Sequence, residues 1–294
     1  MEVHLVDGTY ELFRHFYGKH PSRTDPLTGI EISAVRGVVS TVVQMLEDGA
    51  THVGVATDHV IESFRNDLWP GYKTGEGIDP LLWAQAHPLE DALVALGVAV
   101  FPMVDVEADD ALGAAAALAA ADPRVVRVLI CTPDTDLGQC VGGKVLQFDR
   151  RNDRILDAAA VEDKFGVPPA AIPDYLALVG DSADGFPGLP GFGAKSAALL
   201  LARFGSIAAI PDDEGDWDIA VRGAAKLAAT LRGSRDLAAR FTTLATLRLD
   251  APVGTVDDWE WHGPQEPAWA DWCDRLGSAS LAGRVATLAH TTRS

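Results

Sequence analysis

Apolar residues follow two rhythms along this chain. Val3–Val6 is a short unbroken apolar run that stops at Asp7-Gly8, and Val53–Thr57 is a second that stops at Asp58. Runs of this length, bounded by polar residues, predict buried strands. Between them Val35, Val38, Val39, Val42, Val43 and Leu46 recur at helical spacing, which predicts an amphipathic helix over Val35–Leu46. The alternation continues with a helix over Leu81–Leu96, a strand over Val98–Phe101, an alanine-rich helix over Ala108–Ala121 and a strand over Val125–Cys131. Alanine is the strongest helix former. Strands separated by helices predict βαβ units and a mostly parallel sheet. From Val161 the rhythm changes, and short helical stretches are broken by Gly and Pro. Beyond Cys131, strands are expected only around Phe148 and Leu247. The expected organisation is an α/β core over residues 1–160 and a mainly helical lobe over 161–294.

Composition narrows the class. Apolar residues make up 48% and mean hydropathy is +0.09, enough to fill a core. No stretch approaches the roughly 18 apolar residues that a membrane-spanning helix needs. The start lacks the basic and long apolar regions of a signal peptide. Three cysteines are too few, and odd in number, for a disulfide framework. A soluble cytoplasmic protein without membrane contact is expected. Charge points the other way from nucleic acid: Lys and Arg total 24 against 42 Asp and Glu, a net charge of −18. Either the excess is a solvated acidic surface, or some carboxylates gather around divalent cations, which would reverse the local field.

The acids are not scattered at random. Asp7 and Asp58 follow strands, Glu107, Asp109 and Asp110 open the alanine-rich helix, and Asp134 and Asp136 follow the strand ending at Cys131. In an open parallel sheet the carboxyl ends of the strands share one edge, where ligands bind. Glu107 and Asp110 fall on one side of their helix, and Asp134 and Asp136 point together if their backbone is extended. A single aspartate after a strand is ordinarily a turn or cap residue. Three strand ends with a triplet and a spaced pair are not ordinary. So many carboxylates stay ionised together only around cations, and all-oxygen donors select Mg²⁺ or Mn²⁺. Two such ions suit phosphodiester cleavage. Asp181 and Asp184, in Gly180-Asp181-Ser182-Ala183-Asp184-Gly185, are either a turn-forming pair or a further part of the set.

A glycine-rich stretch, Gly188-Leu189-Pro190-Gly191-Phe192-Gly193-Ala194-Lys195-Ser196, leads into the helix Ala197–Phe204. It misses the Walker A spacing because Ala194 stands before Lys195. A hairpin between two helices that grips a duplex backbone fits it better.

Taken with Ser63-Phe64-Arg65 and Gly71-Tyr72-Lys73, these motifs fall in the order seen in bacterial 5′ nucleases. The chain resembles the 5′→3′ exonuclease and flap endonuclease family, including the N-terminal domain of bacterial DNA polymerase I, over about residues 2–285. It reads as a free-standing form. The resemblance implies a PIN-like (Rossmann-like) nuclease core with a helical arch and a helix–three-turn–helix lobe. It implies one metal at Asp7, Asp58, Glu107, Asp109 and Asp110, and a second at Asp134, Asp136, Asp181 and Asp184. Arg65 and Lys73 would lie beside the scissile phosphate as catalytic cations, with Arg36 and Tyr72 at the DNA. Gly188, Gly191, Gly193, Lys195 and Ser196 would hold duplex phosphates, with a K⁺ bound at the hairpin. The implied substrate is DNA with 5′ flaps, nicks or 5′ ends. The implied partners are replication and repair proteins, and a monomer is expected.

Several positions depart from the family. Arg36 stands where a Tyr is usual, Thr135 replaces a Lys, Gly75-Glu76 replaces a basic residue, and Gly185 stands where Asn is common. The competing expectation is a catalytically weakened DNA-binding homologue. A haloacid-dehalogenase type of phosphatase, echoed by Asp7-Gly8-Thr9, would need an aspartate where Leu5 stands.

Overall fold

The computed structural model describes residues 1–18 and 21–292. The chain opens with β1 (Glu2–Asp7), α1 (Gly8–Phe16), α2 (Ser33–Glu47) and β2 (His52–Asp58). It continues through α3 (Phe64–Leu68), α4 (Pro80–Trp83), α5 (Ala86–Leu96), β3 (Ala99–Met103), α6 (Ala108–Ala121) and β4 (Arg127–Cys131). Then come β5 (Val145–Asp149), β6 (Arg154–Leu156), α7 (Ala158–Phe165), α8 (Ile172–Val179) and α9 (Ala194–Phe204). The last helices are α10 (Ala224–Gly233), α11 (Arg235–Ala245), α12 (Ala268–Leu276) and α13 (Ala279–Thr292).

Two compact units form. The first gathers Met1–Ile61, Gly75–Thr132 and Leu249–Ser294, and the second gathers Glu62–Thr74 and Pro133–Arg248. In the first unit four parallel strands run in the order β3-β2-β1-β4. Every residue of β2 is buried, as an interior strand covered on both faces requires. The alanine-rich α6 packs against all four strands; its small side chains allow a close approach. Asp7-Gly8 has a geometric cause: a Cβ at position 8 would lie 2.8 Å from the Ala56 carbonyl and from the side chains of Val55 and Thr57.

In the second unit β5 and β6 form an antiparallel hairpin. The helices bury Leu176, Leu178, Phe186, Leu200 and Phe241 in one apolar core. Among the described residues, no helix is long and apolar enough to cross a membrane.

Two local expectations need correction, and one helix was not expected. The helix over Leu81–Leu96 is broken into α4 and α5. Pro88 has no N–H for the Ala84 carbonyl, and the buried Gln85 side chain instead accepts from the Ala34 and Val35 amides, capping α2. The helix α1 follows β1 with no loop between them, so its apolar stripe is masked by the strand signal. No strand forms at Leu247, whose amide donates to the Gln139 side chain at 3.0 Å.

The first unit also contains a buried ion pair that clasps the Thr24–Glu31 loop to α12. Both oxygens of buried Asp25 accept from Arg275, and the Thr28 hydroxyl and the Leu27 amide add two more bonds. The Arg275 guanidinium, followed by the Thr28 and Leu27 bonds, overcomes burial and brings the Asp25 carboxyl down to about 2. A depressed carboxyl contributes stability above its unfolded value and loses it as pH falls through the folded value. Arg275→Met is expected to cost about 3 kcal/mol at neutral pH. The gap from wild type should close as pH drops below about 4; denaturant unfolding at several pH values reads this directly.

Candidate active site

The first unit brings five of the expected acids to the carboxyl edge of its sheet. Asp7 ends β1 and Asp58 ends β2, and the parallel register aligns Asp7 with Ala56 and Asp58 with Met103 of β3. Asp7 is held at both oxygens, by the Tyr10 amide at 2.8 Å and the Thr132 hydroxyl at 3.0 Å. Asp58 Oδ1 accepts from the Ala108 amide at 2.9 Å, which ties the start of α6 to the end of β2. Glu107 and Asp110 are partners in a reciprocal helix cap, with the Glu107 amide 2.9 Å from Asp110 Oδ2. Asp109, between them, is half-buried. A cap carboxylate at a helix start is favoured by the orphan amides there. Thr132 and Thr9, whose hydroxyl receives the Asp58 amide at 2.8 Å, are second supports that the sequence does not announce.

The second unit brings the other four together. Asp134 and Asp136 are not on an extended segment. Thr135 is helical, Asp136 begins a 3₁₀ turn, and Asp134 Oδ1 accepts from the Asp136 amide at 3.0 Å. This Asx turn leaves Asp134 exposed and buries Asp136. Asp181 and Asp184 share one tight turn, in which Asp181 Oδ1 accepts from the Ala183 and Asp184 amides.

Asp136 is the anomaly. It is 6% exposed, and among the described residues its Oδ1 has no hydrogen-bond partner. Burial, then the charges of Asp184, Asp134 and Asp181, push its carboxyl well above the usual range, and Lys73 opposes them. An unpartnered buried carboxylate oxygen among three other acids is costly unless a cation joins it. Among the described residues, no three acid, His or Cys side chains are drawn into a preformed metal cluster.

The cations differ from one another. Lys73 lies 3.1 Å from Asp184 Oδ1, in an ion pair with one of the candidate acids. Arg65 does not present an exposed side chain. It is 1% exposed, and its guanidinium donates to the carbonyls of Leu244 and Thr246 at the end of α11. Tyr72 is also buried, with its hydroxyl donating to Asp184 Oδ2. Arg36 is half-buried in α2 and donates to the Pro21 carbonyl.

The glycine hairpin joins α8 and α9. Leu189 and Phe192 are buried, and the chain turns outward between them at Gly191. Gly193 caps α9 with its amide on Ser196 Oγ, while Gly188 packs its backbone on Gly180. Lys195 is exposed.

Residues 2–166 match the 5′-3′ exonuclease N-terminal resolvase-like domain, and residues 167–267 match the 5′-3′ exonuclease C-terminal SAM fold. The chain belongs to the 5′-3′ exonuclease family. Members of this family are nucleases that hydrolyse phosphodiester bonds. DNA polymerase I of Pseudomonas aeruginosa is 34% identical over 275 residues, which is 90% of this chain and 29% of that protein. The chain therefore spans less than a third of the length of that relative. A 5′-3′ exonuclease of Buchnera aphidicola is 26% identical, over 85% of this chain and 88% of its own. A bacteriophage T5 flap endonuclease, solved as a pseudo-enzyme-product complex with DNA and metal ions, shares the fold. Its TM-score is 0.66 at 20% identity, covering 99% of this chain and 100% of that one. The resolvase-like match covers the five candidate acids of the first unit together with Asp134 and Asp136, and the SAM-fold match contains Asp181, Asp184 and the glycine hairpin.

Proposed function

We propose that this chain is a divalent-metal-dependent 5′→3′ exonuclease and flap endonuclease. Its substrates would be DNA 5′ ends, nicks and flaps arising in replication and repair. The observation that carries the reading is Asp136 Oδ1, buried without a partner beside Asp134, Asp181 and Asp184. The donors are all carboxylate oxygens, which suits Mg²⁺ or Mn²⁺. Asp134, Asp136, Asp181 and Asp184 would hold one cation, and Asp7, Asp58, Glu107, Asp109 and Asp110 another. When bound, such ions activate a water and neutralise charge developing on a phosphoryl group.

The chain's own residues would do the rest. The Thr132 and Ala108 groups keep Asp7 and Asp58 in fixed rotamers, so the donors need little reorganisation on loading. Lys73 supplies positive charge to the reacting phosphate. Gly188, Gly191, Gly193, Lys195 and Ser196 would grip duplex phosphates with a K⁺ at the hairpin, and Arg36 would meet the 5′ end. A glycine-rich hairpin with one lysine, on an acidic chain, would meet the backbone and not the sequence, and would bind in a salt-sensitive way. The T5 complex with DNA and metal ions supports both classes of ligand.

Purified protein is expected to release 5′-phosphorylated products from matched 5′-flap, nicked and single-stranded DNA with Mn²⁺, and to stop with EDTA. Asp134→Ala should lower turnover on the order of a thousandfold with an unchanged circular dichroism spectrum, because Asp134 is exposed. Full turnover in that variant removes the metal assignment. Binding without cleavage of every substrate favours a weakened DNA-binding homologue instead.

A further inference from the structure

Within the second unit, the segment Trp69–Lys73 is laced to the turn Asp181–Phe186. The Lys73 amide donates to the Asp184 carbonyl at 3.0 Å, and Trp69 Nε1 donates to the Gly185 carbonyl at 3.1 Å. The turn is closed by two bonds between the Asp181 and Phe186 backbones. Gly185 makes this lacing possible. Its φ is +80°, and a Cβ there would sit 2.1 Å from the Gly71 carbonyl oxygen. With the backbone as it stands, a side chain there would make one of the two segments shift.

The clasp presents both oxygens of Asp184 to donors. Lys73 Nζ lies 3.1 Å from Oδ1, and the Tyr72 hydroxyl lies 3.1 Å from Oδ2. Asp184 itself is 8% exposed and Tyr72 3%. Beside them stands Asp136, with its unpartnered Oδ1. The ammonium is therefore an internal counter-ion for a crowded group of acids. A divalent ion bound by Asp184 would set its charge against the Lys73 ammonium on the same carboxylate, whereas the neutral Tyr72 hydroxyl can stay in place. Tyr72 is buried and rigid. Lys73 has a flexible four-carbon stem, and its side chain is 27% exposed.

We infer that Lys73 and the divalent cation compete for Asp184, so that cation loading displaces the Lys73 ammonium and makes it available to an incoming phosphate. This rests on the proposed role of Asp184 as a cation ligand. It adds that the protein without metal neutralises its own acids, and that its active lysine is deployed only after loading. Tyr72 is then a positioning residue that keeps Asp184 in place while its partner changes.

Two measurements on the full chain without DNA test this. The first is ¹³C NMR of reductively dimethylated protein, titrated with Mg²⁺. The chain has six lysines, and Lys73→Arg assigns the signal in question. Dimethylation keeps the charge, and the Lys73 Nζ sits 5.7 Å from the Tyr72 ring, so release changes its shielding. A saturable Lys73 shift is expected. The second is Mn²⁺ binding by electron paramagnetic resonance, with wild type and Lys73→Met compared at low and high salt. The variant is expected to bind about tenfold tighter at one site. The gain should persist at high salt, which screens a distant charge but not a direct competitor. A Lys73 signal that stays still through the Mg²⁺ titration although the protein binds Mn²⁺, or a gain that vanishes in salt, overturns the competition and leaves the metal reading standing. No Mn²⁺ binding by wild type overturns both.

Discussion

Asp136→Asn is expected to abolish cleavage and to make the metal-free protein more stable. The two effects share one cause. Asp136 is a buried carboxylate with an unpartnered oxygen, facing the charges of Asp184, Asp134 and Asp181. The amide removes a charge that the folded state accommodates poorly, which should raise stability by about 1–2 kcal/mol in EDTA. It also removes an anionic donor from the cation site, which should reduce turnover on the order of a thousandfold or more. Calorimetry with and without Mg²⁺ separates this from ordinary damage. Wild type should gain melting temperature on Mg²⁺ addition through linkage, and the variant should gain much less. A variant that melts lower than wild type in EDTA would mean that Asp136 is held by contacts of its own, and the cation argument would fail with it.

Arg65→Ala is expected to act first on stability. The Arg65 guanidinium is buried and donates from Nε at 2.7 Å to Leu244 and from Nη2 at 3.2 Å to Thr246. Those carbonyls lie at the end of α11, where orphan acceptors and the helix dipole both favour a cation. Deleting it leaves buried carbonyls unsatisfied and a hole where the side chain packed, a loss of about 3 kcal/mol. The melting temperature should fall by roughly 10 °C. Arg65→Lys should recover part of this, because one ammonium can reach a carbonyl but lacks the guanidinium's fork. If Arg65 serves only the phosphate, the opposite pattern appears: rate falls while the melting temperature stays put. Measuring both on the same preparation decides between the roles.

Much of the first unit was readable from spacing. The apolar runs at Val3–Val6 and Val53–Thr57, the valine stripe from Val35 to Leu46 and the alanines after Glu107 all became the elements that they predict. Strands buried on both faces and helices with one apolar stripe write their period directly into the chain. The acids at strand ends were equally visible, because parallel topology dictates that strand termini share an edge. The helix Gly8–Phe16 was hidden by its direct junction with the first strand. The break before Ala86 depends on a side chain, Gln85, whose partners Ala34 and Val35 are some fifty residues away.

Sequence by itself determined the alternation of strands and helices, the family motifs and the identity of the acids, because each of these is set by local spacing and residue type. Only the tertiary structure decided what the individual groups do. It buried Asp136 while leaving its neighbour Asp134 exposed, and it turned Arg65 onto the end of a helix. It also closed Lys73 and Tyr72 onto Asp184 across more than a hundred residues of chain. Burial, hydrogen-bond partnership and charge proximity belong to pairs of residues that meet only when the chain folds, and no local pattern encodes them.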